Sequence, residues 1–121
     1  MKFNHECARD LLLTIEETFR PIDAKTTDYL HKLPQLEKYT YDDVSYSAIQ
    51  LRDSGLIKTN PNPINRGLDI ILTVRDITPE GRAFLESIRK DTAWKKIKGI
   101  ASKVGNITVE SLIRAAANSL F

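Results

Sequence analysis

Residues 54–81 read SGLIKTNPNPINRGLDIILTVRDITPEG, and the reading of this stretch decides the fold. Just upstream, Val44, Ala48 and Leu51 recur at helical spacing on one line, and Gly55 continues it. Glycine tolerates a left-handed backbone, so Gly55 is suited to end that helix and satisfy its last carbonyls. Leu56–Thr59 then reads as a strand. The run Asn60–Gly67 holds two prolines, three asparagines and a glycine, and reads as a loop. Leu68–Ile77 is rich in aliphatic and β-branched residues and is predicted as a strand pairing back on Leu56–Thr59. Thr78-Pro79-Glu80 opens the next helix: Thr caps, Pro is preset for the first helical position, and Glu suits the positive end of the dipole.

Outward from this unit, Cys7, Ala8, Leu11, Leu12, Ile15 and Phe19 line one face of a helix over about Asn4–Phe19, ended by Pro21. Ile22–Tyr39 lacks a long period, with a short strand expected at Asp28–Leu33. Thr40 and Asp43 have capping-box spacing and start a helix near Tyr41. Downstream, Phe84, Leu85 and Ile88, with Ala83, give the first of the C-terminal helices its apolar side. A second helix from Asp91 or Thr92 carries Trp94, Ile97, Ala101 and Val104, and Trp94 is expected in core or interface packing. A third, capped by Thr108, carries Val109, Leu112, Ile113, Ala116 and Leu120. The expected fold is mainly α with a small antiparallel β-hairpin, an α+β chain. Residues 1–90 form its main domain, and 91–121 a helical extension packing on it or on a partner subunit.

With 121 residues, 41% hydrophobic and 28% charged, the chain has the make-up of one soluble globular domain. Its net charge of +2 is too small to point to nucleic acid, but the charge is uneven. Residues 1–54 hold seven basic and ten acidic side chains, and residues 55–121 hold eleven and six. Cys7 is the one cysteine, so no internal disulfide forms, and a reducing, cytoplasmic setting is expected. The early apolar run Leu11–Leu13 is too short for a signal-peptide core or a membrane span. His5 and His31 are the only histidines, and no nucleophile elbow or phosphate-binding glycine loop occurs. Neighbouring carboxylates such as Glu16/Glu17 and Asp42/Asp43 point different ways on a helix. No catalytic residue, metal or cofactor is expected.

The order helix, short strand, helix ending Ser54-Gly55-Leu56-Ile57, hairpin, then Asp76-Ile77-Thr78-Pro79-Glu80-Gly81 opening a helix resembles a winged helix-turn-helix. A closer resemblance runs nearly the whole chain, through Ser45-Tyr46-Ser47, Leu51, Gly55-Leu56-Ile57, Ile77–Gly81, Phe84-Leu85, Arg89-Lys90-Asp91 and Trp94-Lys95-Lys96. These are similar to an uncharacterised family of phages, prophages and bacteria catalogued as domain of unknown function 2513. The chain departs from that pattern at Ser47, where a His often stands, and at Pro79, where an aromatic often sits. The resemblance implies a winged-helix fold and a phage context without an established activity.

Two functions follow as expectations. If Val44, Ala48 and Leu51 face the core, then Asp42, Tyr46, Ile49, Gln50 and Asp53 face outward. In the first reading the chain is a non-enzymatic winged-helix module that binds double-stranded DNA weakly. Tyr46 and Gln50 would read bases, Lys58, Arg66 and Arg75 would grip phosphates from the wing, and Lys95, Lys96 and Lys98 would add the basic Arg89–Lys103 segment. In the second it is an adaptor whose acidic face, Asp42, Tyr46, Ile49 and Asp53, docks a host or phage protein. The last helix is expected to fold back on its own chain or to form a homodimer.

Overall fold

A computed structural model describes residues 1–119. Helix α1 (His5–Thr18) is followed by strand β1 (Lys25–Thr26), the five-residue helix α2 (Thr27–His31) and helix α3 (Tyr41–Asp53). Strands β2 (Ile57–Thr59), β3 (Ile64–Arg66), β4 (Asp69–Ile71) and β5 (Thr73–Ile77) come next, then helices α4 (Pro79–Ile88), α5 (Asp91–Ser102) and α6 (Val109–Asn118). The architecture is α+β, with a three-stranded antiparallel sheet in the order β1-β5-β2 and a separate β3–β4 hairpin. Leu120 lies outside the described residues.

The junction read from residues 54–81 is built from local rules that reinforce one another. Gly55 has φ 78°, the left-handed region open to glycine. Its N–H donates to the Arg52 carbonyl (2.9 Å) and the Leu56 N–H donates to the Leu51 carbonyl (2.9 Å), the paired bonds of a Schellman ending. Thr78 then takes up the next two carbonyls, its hydroxyl donating to Gly55 O (2.6 Å) and its N–H to Leu56 O (3.0 Å). The same hydroxyl accepts from the Gly81 N–H (3.0 Å) and so caps α4. One threonine thus holds the turn that leaves α3, starts α4 and fixes the distance between them.

Four expectations need correction. The stretch Leu68–Ile77 is two strands, because Leu72 turns aside to bond Thr27 at the start of α2, its carbonyl accepting from the Thr27 N–H (2.9 Å) and its N–H donating to the Thr27 hydroxyl oxygen (3.2 Å). Only β5 pairs with β2, and Arg75 is the unpaired extra residue between Thr59↔Val74 and Lys58↔Asp76, a bulge. The segment Asn60–Gly67 is not all loop. Gly67, at φ 62°, and Leu68 make a two-residue turn that pairs Ile64↔Ile71, Asn65↔Ile70 and Arg66↔Asp69, and both prolines precede the paired residues. Asp28–Leu33 is α2 and a turn rather than a strand, and the short strand lies upstream at Lys25–Thr26. Val104 is 81% exposed because α5 ends at Ser102 and leaves it outside the apolar line.

A single apolar core runs through the molecule. Val44, Ala48 and Leu51 of α3 are buried in it, as expected, together with Leu11, Leu12 and Ile15 of α1, Leu85 and Ile88 of α4, Trp94 and Ile97 of α5, and Leu112 of α6. Helix α1 separates two groups of elements. Asn4 and Cys7 meet Asp43 and Ser47 of α3, whereas Glu6 and Arg9 meet Trp94, Lys98 and Asp91 of α5. At about 100° per residue these two pairs face opposite sides of α1. The chain therefore presents an α2–α3 side and an α5 side.

Gly81 is the tightest point of the junction. A methyl group there would overlap the Leu56 carbonyl oxygen and reach within 2.6 Å of Ile77 Cγ2. Gly81→Ala is expected to cost about 2–4 kcal/mol in urea unfolding, since backbone rather than a flexible side chain must yield. A loss below about 0.5 kcal/mol would show that the junction is loose.

Candidate interaction surface

The outward side of α3 carries Asp42 and Asp53, both exposed, with Tyr46, Ile49 and Gln50 half-buried between them. Thr40 caps the helix by accepting from the Asp43 N–H (3.0 Å). The reciprocal half of the expected capping box is missing, because the Asp43 carboxylate instead accepts from Asn4 Nδ2 (3.4 Å). Two acidic side chains in the first turn suit the positive helix end and leave this end of the surface acidic.

The β3–β4 hairpin is held against this side of α3. The Ile70 carbonyl accepts from Tyr41 Oη (2.8 Å) and from Ser45 Oγ (3.2 Å), and Tyr41 Oη also bonds Thr27 Oγ1 (2.8 Å). Arg66 adds an ion pair to Asp28 of α2 (3.1 Å). A shallow cleft between helix and hairpin is lined by Tyr46, Ile49, Leu68, Ile70 and Met1. A second cleft, of about 460 Å³, lies on the other flank of Tyr46 and is lined by Lys2, Phe3, His5 and Ile107. Leu68 is fully exposed, and Ile64, Ile70 and Met1 are about half exposed or more. Apolar side chains in water beside carboxylates give this surface its character.

The basic residues named from the sequence are not gathered here. Lys58 projects from β2 opposite Asp76, and Arg75 projects from the bulge in β5. Arg66 is committed to Asp28. Lys95 and Lys96 are exposed on α5, across α1 from the hairpin, and make no ion pair among the described residues. Lys98 turns inward, with Nζ 2.6 Å from Glu6 Oε1 and 5.4 Å from the centre of the Trp94 ring. Of the sequence-named residues, Asp42, Tyr46, Ile49, Gln50 and Asp53 share one surface. The exposed aliphatic hairpin and its tether through Thr27, Tyr41 and Ser45 were missed. The Arg66-Gly67-Leu68-Asp69 turn was the available signal.

Around α1 the electrostatics serve the fold. Burial raises the Glu6 pKa, but hydrogen bonds from Lys98 and Trp94 outweigh it and hold the carboxyl below the ordinary glutamate value. Burial pushes the Cys7 thiol up to about 12, with a smaller opposing effect from the Ser47 hydroxyl. His5 is pulled below its ordinary value chiefly by burial, against the attraction of Glu6. Trp94 is buried in the core with its N–H on Glu6 (3.0 Å).

Two outcomes follow. Cys7 is fully buried and un-ionised, so it is expected to resist DTNB in the folded protein at pH 8 and to react only as fast as the chain opens. Rapid labelling would contradict this. Glu6, having a lowered folded-state pKa, contributes stability that is complete above the unfolded value near 4.5 and is lost as pH falls through the folded value. Its side chain is 44% exposed, so solvent screening limits the effect to about 0.5–1 kcal/mol. Between pH 7 and pH 3, Glu6→Gln should therefore lose less stability than the parent in urea titrations, and parallel losses would remove the assigned role.

A family described as "Hypothetical protein (DUF2513)" matches residues 2–107. No curated protein and no solved structure matches the chain. No described helix is long and apolar enough to cross a membrane.

Proposed function

Because the chain belongs to the DUF2513 family, whose description assigns no activity, we propose a role from its own surface: a non-catalytic winged-helix module that docks another protein. The winged-helix reading is supported by the strand order β1-β5-β2, by α2 and α3 preceding β2, and by a hairpin inserted between β2 and β5. In that reading α3 is the recognition helix and the β3–β4 hairpin is the wing.

The observation that carries the docking role is the continuity of Asp42, Tyr46 and Ile49 with the exposed aliphatic hairpin, Asp53 extending the same side of α3. A DNA phosphate approaching α3 meets Asp42 at its first turn, and the arginines beside this surface are already paired, Arg52 with Asp53 (3.0 Å) and Arg66 with Asp28 (3.1 Å). A protein partner with a basic rim and an apolar centre meets complementary charge and a dry contact. Such an adaptor would work in the cytoplasm of a bacterial host on a host or phage protein. A second reading, duplex DNA held through phosphates by Lys95 and Lys96, is favoured by their exposure without ion-pair partners among the described residues.

The two are separated by photocrosslinking from position 49 or position 95 in native cells, together with duplex binding at about 50 mM salt. The docking role expects a discrete protein adduct from position 49 that Asp42→Lys/Asp53→Lys abolishes, with negligible duplex affinity. Salt-sensitive duplex binding that strengthens in the same double variant, with no protein adduct, would overturn it.

A further inference from the structure

Leu68 stands fully exposed at the hairpin tip, where a two-residue turn gives it no neighbour to pack against. Beside it, Asp69 is opposite Arg66 in the ladder, yet the Arg66 guanidinium is drawn away to Asp28. The tip is thus an aliphatic knob with an acidic flank, and Asp69 makes no ion pair among the described residues.

On the α5 side of the molecule lies the converse shape. A notch of about 180 Å³ between α5 and α6 is walled by Ile100, Val104 and Ala115, with Ser111 and Arg114 at its edge. An apolar cavity of about 150 Å³ accommodates benzene, so a notch of this size takes a leucine side chain. Lys96 and Lys103 fall within about 60° of Ile100 on the helical wheel, and both are exposed. Arg114 lines the notch from α6, its charge met by Glu110 one turn earlier (2.8 Å). The charge left free beside the notch is that of Lys96 and Lys103.

We propose that this protein associates with itself head to tail, the Leu68 tip of one copy seated in the α5–α6 notch of the next and Asp69 set against Lys96 and Lys103 beside it. Size and charge match, and the two surfaces share no lining residue. Because the hairpin is fixed to the α2–α3 side and the notch belongs to the α5 side, the contact is heterologous and builds chains or rings rather than an isologous pair. The area is small, so association is weak and is relieved by salt.

Sedimentation velocity over a rising protein concentration, up to about 1 mM, tests the contact. Leu68→Ser and Val104→Glu alter exposed positions, and unchanged urea midpoints will show that both fold. The wild type is expected to show a weight-average mass that climbs with concentration and falls with added salt. Each variant alone should weaken association by about tenfold or more. An equimolar mixture should recover a dimer that grows no further, since Val104→Glu retains a tip and Leu68→Ser retains a notch. A wild type monomeric throughout, association that survives either substitution, or a mixture that stays monomeric would overturn the proposal.

Discussion

Two backbone carbonyls in the turn just past α3, those of Gly55 and Leu56, are taken up by one residue, Thr78. A buried carbonyl without a partner costs the free energy of the lost bond. Here the partner is the cap of the following helix, so the turn that leaves α3 and the start of α4 are satisfied together. Between Leu56 and Thr78 the chain must leave and return, and the pairing of β2 with β5 in the register Ile57↔Ile77 is the direct outcome. Gly81 allows the close approach because no side chain stands between α4 and the Leu56 carbonyl. The buried faces of α1, α3 and α4 meet around this joint.

The same joint decides where function can reside. Since β2 and β5 are fixed at their base, the thirteen residues between Thr59 and Thr73 must project, and their direction is set by contacts at the far end. Those contacts are polar and specific: Thr27, Tyr41 and Ser45 converge on the backbone at Ile70 and Leu72. A hairpin that would otherwise swing is joined to α3, and its aliphatic residues extend the acidic and aromatic side of that helix. The exposed Lys95 and Lys96 of α5 lie across α1 from that surface.

Much of this was legible wherever the determining interactions are local. Gly55 and Thr108 act within a few residues of themselves, as does Thr78 in capping α4, and the endings and beginnings they mark are found where expected. Val44, Ala48 and Leu51 identify the buried line of α3 and therefore its outward residues. Helix α2 escaped because five residues are too few to display a period. The break at Leu72 escaped because Thr27, forty-five residues away, causes it. Lys98 and Arg66 were read as free cations because their carboxylate partners, Glu6 and Asp28, come from distant segments. Side-chain type reveals a charge, but only the fold reveals whether it is already neutralised.

The shared surface depends on the hairpin being a fixed part of the α3 side. Backbone ¹⁵N relaxation of residues 64–71 measures this directly. Order parameters matching those of α3, about 0.85, are the expected result, with the Ile70 and Leu72 amides no more mobile than Ser45. Values below about 0.6 across the hairpin would mean that it moves independently of the helix, and that the shared surface does not exist.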